Sequence, residues 1–144
     1  MGRPEPASGR IVALDLGEAW TGVAISDPGA IIASPVKTVP AVDLADYLEK
    51  LVRDEEIGEI LVGVPKTLGG EVGFQARRVF AKLDDLKERL PGVRFIEWDE
   101  RLTTRVAAAR SEGRGGRKRR GRERLDHLAA AEMLQEYLRA RGDL

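Results

Sequence analysis

Ile11-Val12-Ala13-Leu14-Asp15-Leu16-Gly17 sets four apolar residues in a row before a lone carboxylate and closes on a glycine. An apolar run of this length suits a strand buried on both faces, the kind that occupies the middle of a sheet. A charge at its end is costly to bury unless something binds it. Backbone donors in a turn closed by Gly17 would serve, so on this stretch alone Asp15 reads either as a strand-ending turn aspartate or as a binding residue. Gly17 itself is expected to be a turn glycine that clears room for a phosphate.

Working outward, Thr21 to Asp27 carries Val23 and Ile25 at strand spacing, and Asp27-Pro28-Gly29 is turn chemistry, with glycine free to take positive φ. Ile31 to Val39 predicts a third strand, and its Pro35 argues for a sheet edge or a strand end. Two successive tight turns make these three strands an antiparallel meander. From Val42 the apolar period lengthens to that of a helix, with Leu44, Leu48 and Leu51 on one face and an end near Gly58. Glu59 to Pro65 is a buried strand again, expected to run parallel to a neighbour after the helical crossover. Beyond a polar loop, Val79, Leu83, Leu86 and Leu90 mark a second helix. Val93 to Trp98 then predicts a fifth strand running into Asp99-Glu100, Thr103 or Thr104 the cap of a short helix, and 123–140 a last helix. The expectation is one α/β domain over 10–144 behind a loose tail, 1–9, with a mixed five-stranded sheet: the antiparallel three-strand meander plus two parallel strands, flanked by helices.

The absence of cysteine excludes disulfides, thiolate metal sites and a cysteine nucleophile. No apolar run approaches the ~18–20 residues of a membrane span, so a cytoplasmic protein with no membrane partner is expected. The formal charge of zero hides an asymmetry: residues 1–100 hold 12 Lys+Arg against 18 Asp+Glu, and 101–144 hold 12 against 6. Residues 110–124 alone carry eight basic side chains and two acidic ones, in a glycine-rich run. Parts of opposite sign point to an anionic partner, here nucleic acid, for the basic part.

Three acidic sites fall where elements begin or end: Asp15, Asp99-Glu100 and Asp126. On its helix Asp126 shares a face with Ala129, Ala130, Met133 and Tyr137, so it points towards the core side. Carboxylates converging on one sheet edge repel unless a cation lies between them. Mg²⁺ or Mn²⁺ removes that conflict, and two such ions ~3.5–4 Å apart stabilise the attacking and leaving oxygens of phosphodiester cleavage. The basic run just before Asp126 supplies phosphate contacts in Arg114, Arg117, Lys118, Arg119, Arg120, Arg122 and Arg124. Lys66 and Arg101 are secondary phosphate candidates by position, and Trp20 reads as a base-stacking platform or as half-buried packing. Asp99 and Glu100 are adjacent, so strand alternation allows only one of them to be a primary ligand. His127, the single histidine, is read as a solvated surface residue; adjacent to Asp126 on a helix, it faces another side and offers no Ser-His-Asp triad.

These residues resemble the YqgF (RuvX) family of RNase H-like nucleases, associated with Holliday-junction resolution and with the 5′ end of pre-16S rRNA. The resemblance rests on Ala13-Leu14-Asp15-Leu16-Gly17, Gly22-Val23-Ala24-Ile25-Ser26-Asp27-Pro28, Val62-Gly63-Val64-Pro65, Asp99-Glu100-Arg101-Leu102-Thr103-Thr104 and Leu125-Asp126-His127-Leu128-Ala129-Ala130, in the right order and spacing. It implies an RNase H-like fold with a central first strand, and a catalytic metal-binding set at Asp15, Glu100 and Asp126, with Asp99 as the alternative to Glu100. Ala19-Trp20 stands where members commonly have a basic pair, and Thr67 and Gly69-Gly70 where they have Asn and Asp-Gly, which bears on substrate preference. The implied activity is metal-dependent hydrolysis of structured RNA or a four-way DNA junction by a monomer or homodimer. The alternative is a non-catalytic nucleic-acid-binding factor in ribosome biogenesis or transcription.

Overall fold

The computed structural model describes residues 9–17, 19–64, 74–99 and 126–142. Strands β1 (Arg10–Leu16), β2 (Trp20–Ser26) and β3 (Ala33–Pro40) come first. A 3₁₀ turn (Ala41–Asp43), helix α1 (Leu44–Glu55), strand β4 (Ile57–Val64), helix α2 (Phe74–Arg89), strand β5 (Arg94–Asp99) and helix α3 (Asp126–Gly142) follow. The sheet order is β3-β2-β1-β4-β5, with β1–β2 and β2–β3 antiparallel and β1–β4 and β4–β5 parallel. The apolar run of β1 therefore lies at the centre, and Pro35 lies on an edge strand, as expected. None of the described helices is long and apolar enough to cross a membrane.

Element ends differ from the sequence reading for local reasons. β3 begins at Ala33 and not Ile31 because one carboxylate oxygen of Asp27 accepts the backbone N–H groups of Ile31 (2.7 Å) and Ile32 (2.8 Å), bending them out of strand geometry. Those two bonds hold the Asp27 carboxyl below its ordinary pKa. The positive φ of that turn is taken by Ala30 (57°) and not by Gly29. α1 stops at Glu55 because Glu56 enters the left-handed region, where its carbonyl accepts the Arg10 N–H at 3.2 Å. β4 consequently starts two residues before Glu59. The predicted short helix near 103–112 and the loop after β4 lie outside the described residues.

Strand alternation divides the core between two faces. Val12, Leu14, Val23, Ile60, Val62 and Val64 pack under α1 and α2, against Leu48, Leu83 and Leu86. Ile11, Ala13, Ala24 and Leu61 pack under α3, against Ala129, Ala130, Met133, Leu134 and Leu138. At the far end of α3, Arg141 (3.3 Å) and the Tyr137 hydroxyl (3.4 Å) both donate to the buried carboxylate of Glu59 on β4. Burial, then the Glu59 charge, raises the Tyr137 pKa. In the middle of the helix, Gln135 donates to the Ile31 carbonyl and accepts from the Ala33 N–H, each at 3.0 Å.

Candidate active site

Asp15 lies two residues beyond Ala13, on the α3 face, and only 4% of its surface is exposed. It pairs across β1–β2 with Gly22, and Gly22 pairs across β2–β3 with Thr38, so the three residues form one row across the sheet. The first turn of α3 sits on the middle of that row. A Cβ at Gly22 would lie 2.0 Å from the Asp126 carbonyl oxygen and 2.6 Å from the His127 nitrogen, so the strand carries glycine where the helix backbone meets it. Asp15 and Asp126 are thus neighbours across a residue without a side chain, and half-buried Asp126 starts α3 at the positive end of the helix dipole.

His127 departs from the solvated position expected of it. It is half-buried, with Nδ1 3.2 Å from Thr38 Oγ1, a hydrogen bond whose direction follows the imidazole tautomer. Gly17 is also better explained than by room for a ligand. Its N–H donates to the Trp20 carbonyl at 3.0 Å, closing the β1–β2 turn, and a Cβ there would lie 2.6 Å from that oxygen. Lys82 of α2 donates to the Gly17 carbonyl at 2.8 Å and ties the end of β1 to the helix on the other face.

Of the residues singled out by sequence, the structure sets the backbone of Asp126 over Gly22, the strand partner of Asp15, and places Trp20, half-buried, as the first residue of β2. Asp99 ends β5, in register with Val64 at the same sheet edge. Glu100, Lys66, Arg101 and the basic residues Arg114, Arg117, Lys118, Arg119, Arg120, Arg122 and Arg124 lie outside the described residues. Among the described residues there is no group of three or more acids or histidines that could hold a metal ion. Sequence reading missed Gly22 as a seat, Thr38 and Lys82. An isolated glycine within a strand is a sign of close backbone approach, so Gly22 could have been found; a strand threonine and a helix lysine carry no such sign.

The chain matches the RuvX family, described as Holliday junction resolvase, over residues 9–140. A protein of Rubrobacter xylanophilus named "Putative pre-16S rRNA nuclease" is 58% identical over 137 residues, covering 95% of this chain and 97% of that one. A Nocardia farcinica protein of the same name is 39% identical, covering 97% and 85%. Among solved structures, Thermus thermophilus RuvC in complex with a Holliday junction substrate superposes with a TM-score of 0.60 over 93% of this chain and 96% of that one. At 14% identity, this last likeness concerns the fold, which is RNase H-like. With this sheet order and a family match over nearly its whole length, the chain belongs to the RuvX family.

Proposed function

We propose that the chain is a metal-dependent nuclease, a hydrolase of phosphodiester bonds in structured RNA, at the 5′ end of pre-16S rRNA, or in branched DNA such as a four-way junction. The observation that carries this reading is the seating of the Asp126 backbone over Gly22, the residue that pairs with Asp15 near the end of the central strand. It is supported by the nuclease names of relatives 58% and 39% identical to this chain.

Two carboxylates with hard oxygen donors suit Mg²⁺ or Mn²⁺, and a cation offsets the cost of burying Asp15. Asp15 and Asp126 would hold the metal with Glu100 as third ligand. Glu100 is taken over Asp99 on the resemblance of Asp99-Glu100-Arg101-Leu102-Thr103-Thr104 to the family's motif. When bound, one or two ions supply Lewis-acid stabilisation of the attacking and leaving oxygens. The protein holds the carboxylates in place: β1 fixes Asp15 at the sheet centre, and α3, seated on Gly22, fixes Asp126 beside it. The basic run from Arg114 to Arg124 grips the phosphate backbone, with Lys66, Arg101 and Trp20 as further contacts. We place the protein in the cytoplasm; symmetric junction cleavage requires a two-fold homodimer, and RNA cleavage is open to a monomer.

The test incubates labelled single-stranded RNA, duplex and four-way junction with Mg²⁺ or Mn²⁺, comparing wild type with Asp15→Asn. Cleavage by the variant is expected to fall roughly a thousandfold, the loss of several kcal/mol of charge stabilisation. Equal cleavage by both proteins removes the catalytic assignment of Asp15. Binding without any cleavage replaces the nuclease with a nucleic-acid-binding factor of ribosome biogenesis or transcription.

A further inference from the structure

We infer that Thr38, on the edge strand β3, is a positioning residue for the metal site: its hydrogen bond to His127 sets the first turn of α3, and with it Asp126, against Asp15. The inference rests on the reading of Asp15 and Asp126 as metal-holding carboxylates.

The geometry leads there in three steps. Asp15, Gly22 and Thr38 lie in one row on the α3 face, and the first turn of α3 spans that row. The seat on Gly22 stops the helix from coming closer, because the Asp126 carbonyl already occupies the place of a Cβ, but a contact with a bare glycine does not fix sideways position. The Thr38 Oγ1 to His127 Nδ1 bond, 3.2 Å long, supplies a directional restraint one residue from Asp126.

Leverage explains why a restraint is needed at that place. The far end of α3 is held where Arg141 and Tyr137 meet Glu59. Arg141 lies fifteen residues along the helix from Asp126, about 22 Å at ~1.5 Å per residue. A tilt of about 3° about the far clamp therefore moves the Asp126 end by about 1 Å, a displacement that can cost on the order of 10²-fold in rate. The Gln135 contacts with Ile31 and Ala33 lie more than two turns along the helix from Asp126 and restrain this motion less.

The test measures Mn²⁺ affinity by calorimetry, in the full chain without nucleic acid, for wild type, Thr38→Val, Thr38→Ser, His127→Leu and the Thr38→Val/His127→Leu double variant. Thr38→Val keeps the shape and strand preference of threonine and deletes the hydroxyl. It is expected to weaken Mn²⁺ binding about tenfold, the loss typical when a group that orients a metal ligand is removed. Thr38→Ser should restore wild-type affinity, and the double variant should lose no more than either single change, because both delete one bond. In cleavage assays the loss should fall on kcat, with KM for the nucleic acid unchanged.

Asp15→Asn and Asp126→Asn distinguish the two ways of failing. If both abolish Mn²⁺ binding and Thr38→Val binds as wild type does, the positioning role is wrong and the metal site stands. If both bind Mn²⁺ as wild type does, the metal reading falls and the positioning role falls with it. A lowered melting temperature of metal-free Thr38→Val with unaltered Mn²⁺ affinity also overturns the proposal, as would additive losses in the double variant.

Discussion

The two faces of the sheet are built from different materials. Under α1 and α2, branched aliphatic residues such as Val12, Leu14, Ile60 and Val62 meet Leu48, Leu83 and Leu86 in a deep interdigitated layer. Under the first turns of α3 the sheet presents Ala13, Ala24 and the bare Gly22, and the helix answers with Ala129 and Ala130, while Ile11, Leu61, Met133, Leu134 and Leu138 fill the rest of that layer. Large side chains hold helices away from a sheet and bury much apolar area; small ones let the backbones approach and bury less. The first face supplies stability. The second gives up some of that area to bring one helix end against the central strand, and the candidate carboxylates lie there.

If this division is correct, truncations on the two faces should have different consequences. Leu48→Ala, fully buried under the sheet, should cost about 2–5 kcal/mol in denaturant unfolding, while nucleic-acid cleavage by the folded protein stays near wild type. A large loss of cleavage by folded Leu48→Ala would mean that the two faces are not separable. Gly22→Ala should cost less stability, about 1–3 kcal/mol, and far more activity, because the helix backbone must move off the row to admit the methyl group. Full cleavage by that variant would show that the seat does not position the site.

Smaller effects sharpen the comparison. In the absence of metal, Asp15→Asn should leave stability unchanged or raise it by up to about 1 kcal/mol, since it relieves the crowding of carboxylates at that end of the sheet. Thermal unfolding in chelator measures this, and a loss of several kcal/mol would make Asp15 a structural residue of the meander. The smallest effect is expected at Asp27, outside both layers. Its pKa is lowered in the folded state, so its contribution is present above the unfolded carboxyl's pKa and is lost as pH falls through the folded value. Asp27→Asn should flatten the acid limb of the stability profile below about pH 4 and lower neutral stability by that same small contribution, the two proteins converging in acid. An acid limb identical to wild type would assign that slope to other carboxylates.

Much of the fold was legible because periodicity reports directly on burial. The continuous apolar run of β1 needs cover on both sides, so it had to be central, and Pro35, which has no N–H to donate, had to lie at an edge or a strand end, of which the structure takes the edge. The misplaced boundaries share one cause, side-chain and backbone bonds that compete with strand or helix geometry. The Asp27 carboxylate takes the amides of Ile31 and Ile32, and Glu56 turns left-handed to meet Arg10. A pattern of apolar residues contains no trace of such bonds.

The candidate site was legible to the same extent. By itself the sequence determined that three acidic positions stand at element ends and that the region before the last helix is basic, since each follows from residue type and spacing. Only the tertiary structure decided that Asp15, Gly22 and Thr38 form one row, that the start of α3 rests on that row, and that His127 binds the edge strand instead of facing solvent. The physical reason is that register and helix docking are set by contacts between residues roughly ninety to a hundred positions apart, such as Gly22 with Asp126 and Thr38 with His127. Neither residue of such a pair carries local information about the other.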